Sequence, residues 1–228
     1  RLTNPPFFDF WSGFVGFGFA GASGNASTQS LSTSFSAARE TGKDKLEPYF
    51  SQLFATQRTA PPVGATANRI SGGLRYTRDI NSRMFGFTTA DFDYDQFLAL
   101  DLRAVFGGGL GIHFKKTKRT SWDAGLGGSW NREKFANGVS RNSAEFVMRE
   151  ESNHRLTDRV KLFQKTLLFP NLSQEGEFRF SFDGGAAIGL GKGLDLTLGI
   201  SERYLSNPLL GKKRNDILYS TGVRFSFK

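Results

Sequence analysis

The amino-acid sequence predicts an all-β protein, a transmembrane antiparallel up-and-down β-barrel of about twelve strands. Three observations carry that expectation. Strict apolar/polar alternation recurs from end to end, while helical spacing is scarce. The face opposite the apolar one is rich in glycine, serine and charge, which suits a barrel lumen and would make a poor soluble core. Short turns alternate with longer connections, and aromatic residues gather near strand ends.

Taken in order, the first strand is expected over 11–22, where Gly16-Phe17-Gly18-Phe19-Ala20-Gly21 formally matches a dinucleotide-binding pattern. That motif needs a strand–turn–helix unit, and an uninterrupted alternating strand rules it out here. The second, 26–40, places Ser30, Ser32, Ser34 and Ser36 on one face. The third, 45–57, carries the adjacent apolar pairs Tyr49-Phe50 and Leu53-Phe54, so its faces cannot be assigned. A Pro-rich stretch, 58–66, leads to strands at 67–79 and 83–95. In the sixth, 100–115, Leu100, Leu102, Ala104, Phe106, Leu110, Ile112 and Phe114 alternate with Asp101, Arg103, Gly107, Gly109, Gly111 and His113.

The seventh strand is expected at 120–133 and the eighth at 142–155. In the eighth, the outward series Ala144, Phe146, Met148 runs into Glu150, which calls for a bulge or a place near the membrane interface. Strands at 160–169, 176–190, 194–205 and 214–227 complete the set. The last is the cleanest: Ile217, Tyr219, Thr221, Val223, Phe225 and Phe227 share one face. The tight turns are 41–44, 79–82, 116–119, 156–159 and 191–193; most of the other connections are longer. Tyr76, Phe114, Trp122 and Phe227 fall by the tight turns, and Tyr94, Trp130 and Phe178 by the longer loops, as two aromatic girdles would.

Composition narrows the function classes. The 228 residues include 27 Gly and 24 Phe but no Cys, so disulfides, thiolate metal sites and thiol nucleophiles are excluded. No run approaches the ~18 apolar residues of a membrane helix. The formal net charge is +9. Such an excess suits nucleic acid, anionic lipid or an acidic solute. The basic residues sit mostly in short turns, such as Lys115-Lys116-Thr117-Lys118-Arg119 and Lys212-Lys213-Arg214, rather than in a nucleic-acid footprint. The opening RLTNPPFFDF has no apolar core of a signal peptide, so 1–10 reads as a periplasmic lead-in to a barrel over 11–228.

The closing run Ser220-Thr221-Gly222-Val223-Arg224-Phe225-Ser226-Phe227 resembles the signal by which bacterial outer-membrane barrels are recognised for insertion, with Gly222, Phe225 and Phe227 as its marks and Lys228 following. More of the chain resembles the salt-induced outer-membrane proteins, a domain-of-unknown-function family. The landmarks are Trp11-Ser12-Gly13, Ser23-Gly24-Asn25, Ala67-Asn68-Arg69, Phe92-Asp93-Tyr94-Asp95 with Leu100-Asp101-Leu102-Arg103, and Ser140-Arg141-Asn142-Ser143-Ala144-Glu145. Phe169-Pro170-Asn171-Leu172-Ser173 and Arg203-Tyr204 before Ser206-Asn207-Pro208 complete them; the family usually has more prolines where this chain has Leu209-Leu210-Gly211. The resemblance implies an outer-membrane location and no established activity; the barrel reading itself puts both termini in the periplasm. Lipid, lipopolysaccharide, the barrel-insertion machinery and other envelope proteins are the partners to expect; no cofactor and no nucleic acid are.

Two lumenal constellations stand out. Asp91, Asp93 and Asp95 share a strand face, with Asp101 and Arg103 across the hairpin. Crowded carboxylates could hold a cation such as calcium. The favoured alternative is an ion-pair network with Arg69, Arg75 and Arg103, since like charges so close need partners to stay ionised. The second set is Glu145, Arg149, Glu151, Arg179, Asp183, Arg203 and Arg224, with Asp123 nearby. If these pair across strands they plug the barrel, and if the arginines line one wall they favour anions. His113 and His154 are the only histidines, and neither falls near the serine face, which argues against a proteolytic or lipid-active surface enzyme. The expectation is a narrow or plugged channel or structural envelope component, with an accessory role in a larger assembly as the alternative.

Overall fold

The computed structural model describes residues 9–23, 28–56, 65–96 and 98–227. Twelve strands form one closed antiparallel barrel in which each strand pairs with its sequence neighbours and the last with the first. They are β1 (Trp11–Ser23), β2 (Thr28–Thr41), β3 (Asp44–Thr56), β4 (Ala65–Asp79), β5 (Met84–Asp95) and β6 (Leu100–Lys116). Then follow β7 (Thr120–Phe135), β8 (Ser140–Arg155), β9 (Val160–Pro170), β10 (Phe178–Gly191), β11 (Leu194–Leu205) and β12 (Asn215–Phe227). The described residues contain no helix. Most of the lead-in, the hairpin at Gly24-Asn25, most of the Pro-rich stretch, the side chain of Ser30 and Lys228 lie outside the described residues.

Alternation builds the wall. Leu102, Ala104, Phe106, Leu110, Ile112 and Phe114 point outward from β6, and across the seam β12 turns Tyr219, Val223 and Phe225 the same way. Phe17, Phe19, Leu126 and Trp130 extend this exposed apolar belt, the surface a bilayer covers in a barrel whose closure leaves no sheet edge unpaired. At one end all the turns are short, for example Gly42-Lys43 and Gly191-Lys192-Gly193. The latter turn takes φ of 109°, 53° and 79° in succession, a left-handed path that its two glycines make accessible. The other end carries the longer loops, including 171–177 and 206–214.

Glycine and aromatic residues are coupled more closely than alternation alone suggests. Phe85 pairs directly with Gly111, Phe163 with Gly185 and Tyr49 with Gly73, all on the lumenal face. A Cβ added at Gly111 would lie 2.2 Å from the Phe85 ring, and one at Gly185 2.7 Å from that of Phe163. Each ring therefore lies over a glycine on the neighbouring strand and covers the exposed backbone. The lumen is accordingly part apolar: Phe85, Phe87, Val105 and Val147 are buried inside it alongside the expected polar groups.

Pairing also settles the faces of β3. Phe50 and Phe54 turn outward, while Tyr49 and Leu53 turn in. Glu150 does lie on the outward face, in an unshifted β7–β8 register, and Gln164 of β9 donates to its carboxylate at 2.9 Å. A local side-chain bond, not a bulge, accommodates it.

One expectation is corrected. Leu100 does not belong to the outward series: it is 1% exposed and pairs with the inward Phe135. The register shifts between Leu100 and Leu102, so a β-bulge inserts one residue and flips the side on which the preceding residues fall. Asp101 sits in that bulge and is exposed, which removes it from the lumenal acidic cluster.

Candidate functional site: the lumen

The lumen carries two tiers of charge. Toward the long-loop end, Arg69 donates to Asp95 at 2.5 Å, Arg103 bonds Glu133 at 2.8 Å, and Arg179 grips both oxygens of Glu145, at 2.9 and 2.5 Å. These pairs join adjacent strands or next neighbours, so the side chains lie along the wall. Asn131 ties the belt together, donating to Glu145 at 3.2 Å and Glu133 at 3.4 Å. Each of these buried carboxylates is held by a guanidinium, which offsets the cost of its burial.

The second tier crosses the barrel. Arg75 on β4 donates to Glu151 on β8 at 3.0 Å, four strands away, and also reaches Glu47 at 3.5 Å. Arg149 bonds the same Glu151 oxygen and lies 5.8 Å above the ring of Phe87. From β9, Lys165 extends its ammonium to 5.9 Å from the ring of Tyr49 on β3, the diametrically opposite strand of the twelve. Tyr49 in turn donates its hydroxyl to Asp91 at 2.7 Å. The wall opposite β4 and β5 carries Asp183, which accepts from Arg203 at 2.8 Å and Ser201 at 2.7 Å, and Arg224 bonds Asp195 at 2.9 Å.

A cavity of about 550 Å³ is lined in part by this cross-brace. It runs from Leu98, Lys213 and Arg214 at the long-loop end down to Phe14, Phe87 and Phe163. Phe85 and Glu47 lie further along their strands toward the short turns, outside its lining. There His113 is held on both ring nitrogens, 2.6 Å from Asp123 and 3.1 Å from Asp79, and stacks near Phe85. His154 faces outward beside Thr120, with 3.5 Å between Nδ1 and the hydroxyl.

The pairing differs from the expected network in particulars. Arg69 does neutralise Asp95, but Arg75 turns to Glu47 and Glu151, and Arg103 to Glu133. Asp93 lines the cavity without an ion pair among the described residues, and those residues hold no carboxylate–histidine group able to bind a metal ion. At the seam, Gly222 packs so closely on β1 that a Cβ there would stand 2.4 Å from the Phe17 carbonyl; Phe225 and Phe227 face outward. Sequence reasoning missed Lys45, Glu47, Tyr49 and Lys165. The signal available was the mixed character of β3 and β9, where neither face is purely apolar.

Architecture and lining together describe a transmembrane β-barrel with a charged, partly filled lumen. The chain belongs to the family described as "Protein of unknown function, DUF481", whose model matches residues 15–227. No curated protein matches it significantly. Among solved structures it is similar to the NanC porin, with a TM-score of 0.57 at 13% identity over 94% of this chain and 100% of that one. An outer membrane channel from Pseudomonas putida F1 gives a TM-score of 0.54 at 10% identity, covering 98% and 100% of the two chains. The translocator domain of the autotransporter NalP from Neisseria meningitidis gives 0.51 at 12% identity, covering 99% and 90%. At these identities the likeness is one of fold.

Proposed function

We propose that this protein is an outer-membrane channel for small solutes whose lumen is held narrow by the cross-brace, with the short-turn end and both termini in the periplasm. The observation that carries the reading is the pair of contacts that span the lumen, Arg75 to Glu151 and Lys165 to Tyr49. A barrel of this size would otherwise leave an interior between the side-chain-filled small barrels and the open porins. Fold similarity to a porin and to an outer membrane channel supports transport over catalysis. So does His113, whose two ring nitrogens are both taken by carboxylates.

In this reading the apolar belt meets outer-membrane lipid and lipopolysaccharide, and the insertion machinery reads Gly222, Phe225 and Phe227 on β12. The refolded protein, reconstituted into planar bilayers, is expected to give small, charge-selective current steps. Silence across a broad range of salt would reduce the role to a plugged structural component of the envelope.

A further inference from the structure

When the ion pairs are assigned, one strand-borne cation of the cavity is left without one, as are Asp91 and Asp93 among its carboxylates. Arg69, Arg103, Arg179, Arg203 and Arg224 each have a carboxylate of their own. At the cross-brace, Arg75 and Arg149 share Glu151, and Glu47 is divided between Arg75 and Lys45. Three cations thus share two carboxylates. Among the described residues that line the cavity, Lys165 is the strand-borne cation with no carboxylate within 4.0 Å.

Its surroundings make that vacancy chemically definite. Glu151 and Asp183 stand directly opposite Lys165 on the neighbouring strands, but both are bonded to arginines and lie beyond 4.0 Å of its ammonium. The face of Tyr49 lies 5.9 Å from it, and the tyrosine hydroxyl is committed to Asp91. A ring face at 5.9 Å leaves the three ammonium N–H donors without an acceptor. An ammonium without an ion pair, set among guanidiniums, is stabilised by an anion that can reach it. The cavity gives access: its volume of about 550 Å³ is that of a small-molecule site. Ser51, Ser71 and Thr89 line its wall with hydroxyls, and Lys213 and Arg214 stand at its mouth. Basic groups at an entrance raise the local concentration of anions.

We propose that this cavity binds a small organic anion, its carboxylate or phosphate group seated on Lys165 between Arg75 and Arg149. The inference rests on the channel reading and names the solute class. Isothermal titration calorimetry of the folded barrel in detergent tests it, with gluconate and glucose 6-phosphate as probes and glucose as their neutral counterpart. Either anion should bind and glucose should not. Lys165→Gln should weaken binding by about tenfold or more, while Lys165→Arg should retain it; heat-dependent electrophoretic mobility reports that both variants fold. Equal binding of glucose, or undiminished anion binding by Lys165→Gln, overturns the proposal. Anion binding by a barrel that passes no current keeps the site and removes the channel, whereas current without anion binding removes the site alone.

Discussion

The two tiers of the lumen are made from the same chemistry and do opposite things. In the tier near the long loops, Arg69–Asp95, Arg103–Glu133 and Arg179–Glu145 connect strands no more than two positions apart. Their side chains run along the wall and leave the centre to the cavity. In the lower tier Arg75 and Glu151 are four strands apart, and Lys165 and Tyr49 six. Those partners can meet only by crossing the bore. Strand separation, rather than charge, decides whether an ion pair lines a barrel or obstructs it.

The sharpest way to break this comparison is Glu151→Gln. Two guanidiniums lose their shared carboxylate in a half-buried site, and removing one partner of such a pair costs about 3–5 kcal/mol. Urea unfolding in lipid vesicles should show that loss, and planar-bilayer conductance should rise severalfold as Arg75 and Arg149 withdraw. A variant that is destabilised but conducts like the parent would mean that the brace does not set the bore. Glu145→Gln is the matched change in the other tier. It breaks the two-point grip of Arg179 on a residue only 2% exposed, and should cost about 2–4 kcal/mol. Conductance should not change, because no side chain crosses the bore there. If it rose as much as in Glu151→Gln, the distinction between tiers would fall.

How much of this was legible in the sequence differs between strands. The outward faces of β6 and β12 could be read directly, because one side of each strand is apolar and the other is glycine, polar or charged. β3 and β9 could not, because the lumen itself accepts apolar groups. Tyr49 lies over Gly73 and Phe163 over Gly185, so aromatic residues occupy both faces and the period-two signal cancels. The ion pairs divide in the same way. Arg69–Asp95 joins adjacent strands and could be anticipated from a hairpin. Arg75–Glu151 depends on the curvature of the closed wall, which no local pattern encodes. Lys165 carries no motif at all; it becomes notable only when the other strand-borne cations of the cavity have been given their partners.

The smallest predicted effect tests the finest point of the comparison, a single inserted residue. Asp95 and Asp101 belong to one acidic stretch and fall by alternation on the same wall, yet their surroundings differ. Asp95 is 4% exposed, accepts from Arg69 at 2.5 Å and from the Leu98 amide at 3.2 Å. Asp101 sits exposed in the bulge between Leu100 and Leu102. Asp95→Asn gives up the charge that holds Arg69 and should cost about 1–3 kcal/mol, while Asp101→Asn should stay within about 0.5 kcal/mol of the parent. Urea unfolding of the two variants side by side measures the difference. Equal losses would place Asp101 inside the lumen after all, and with it would return the regular register that the bulge displaces.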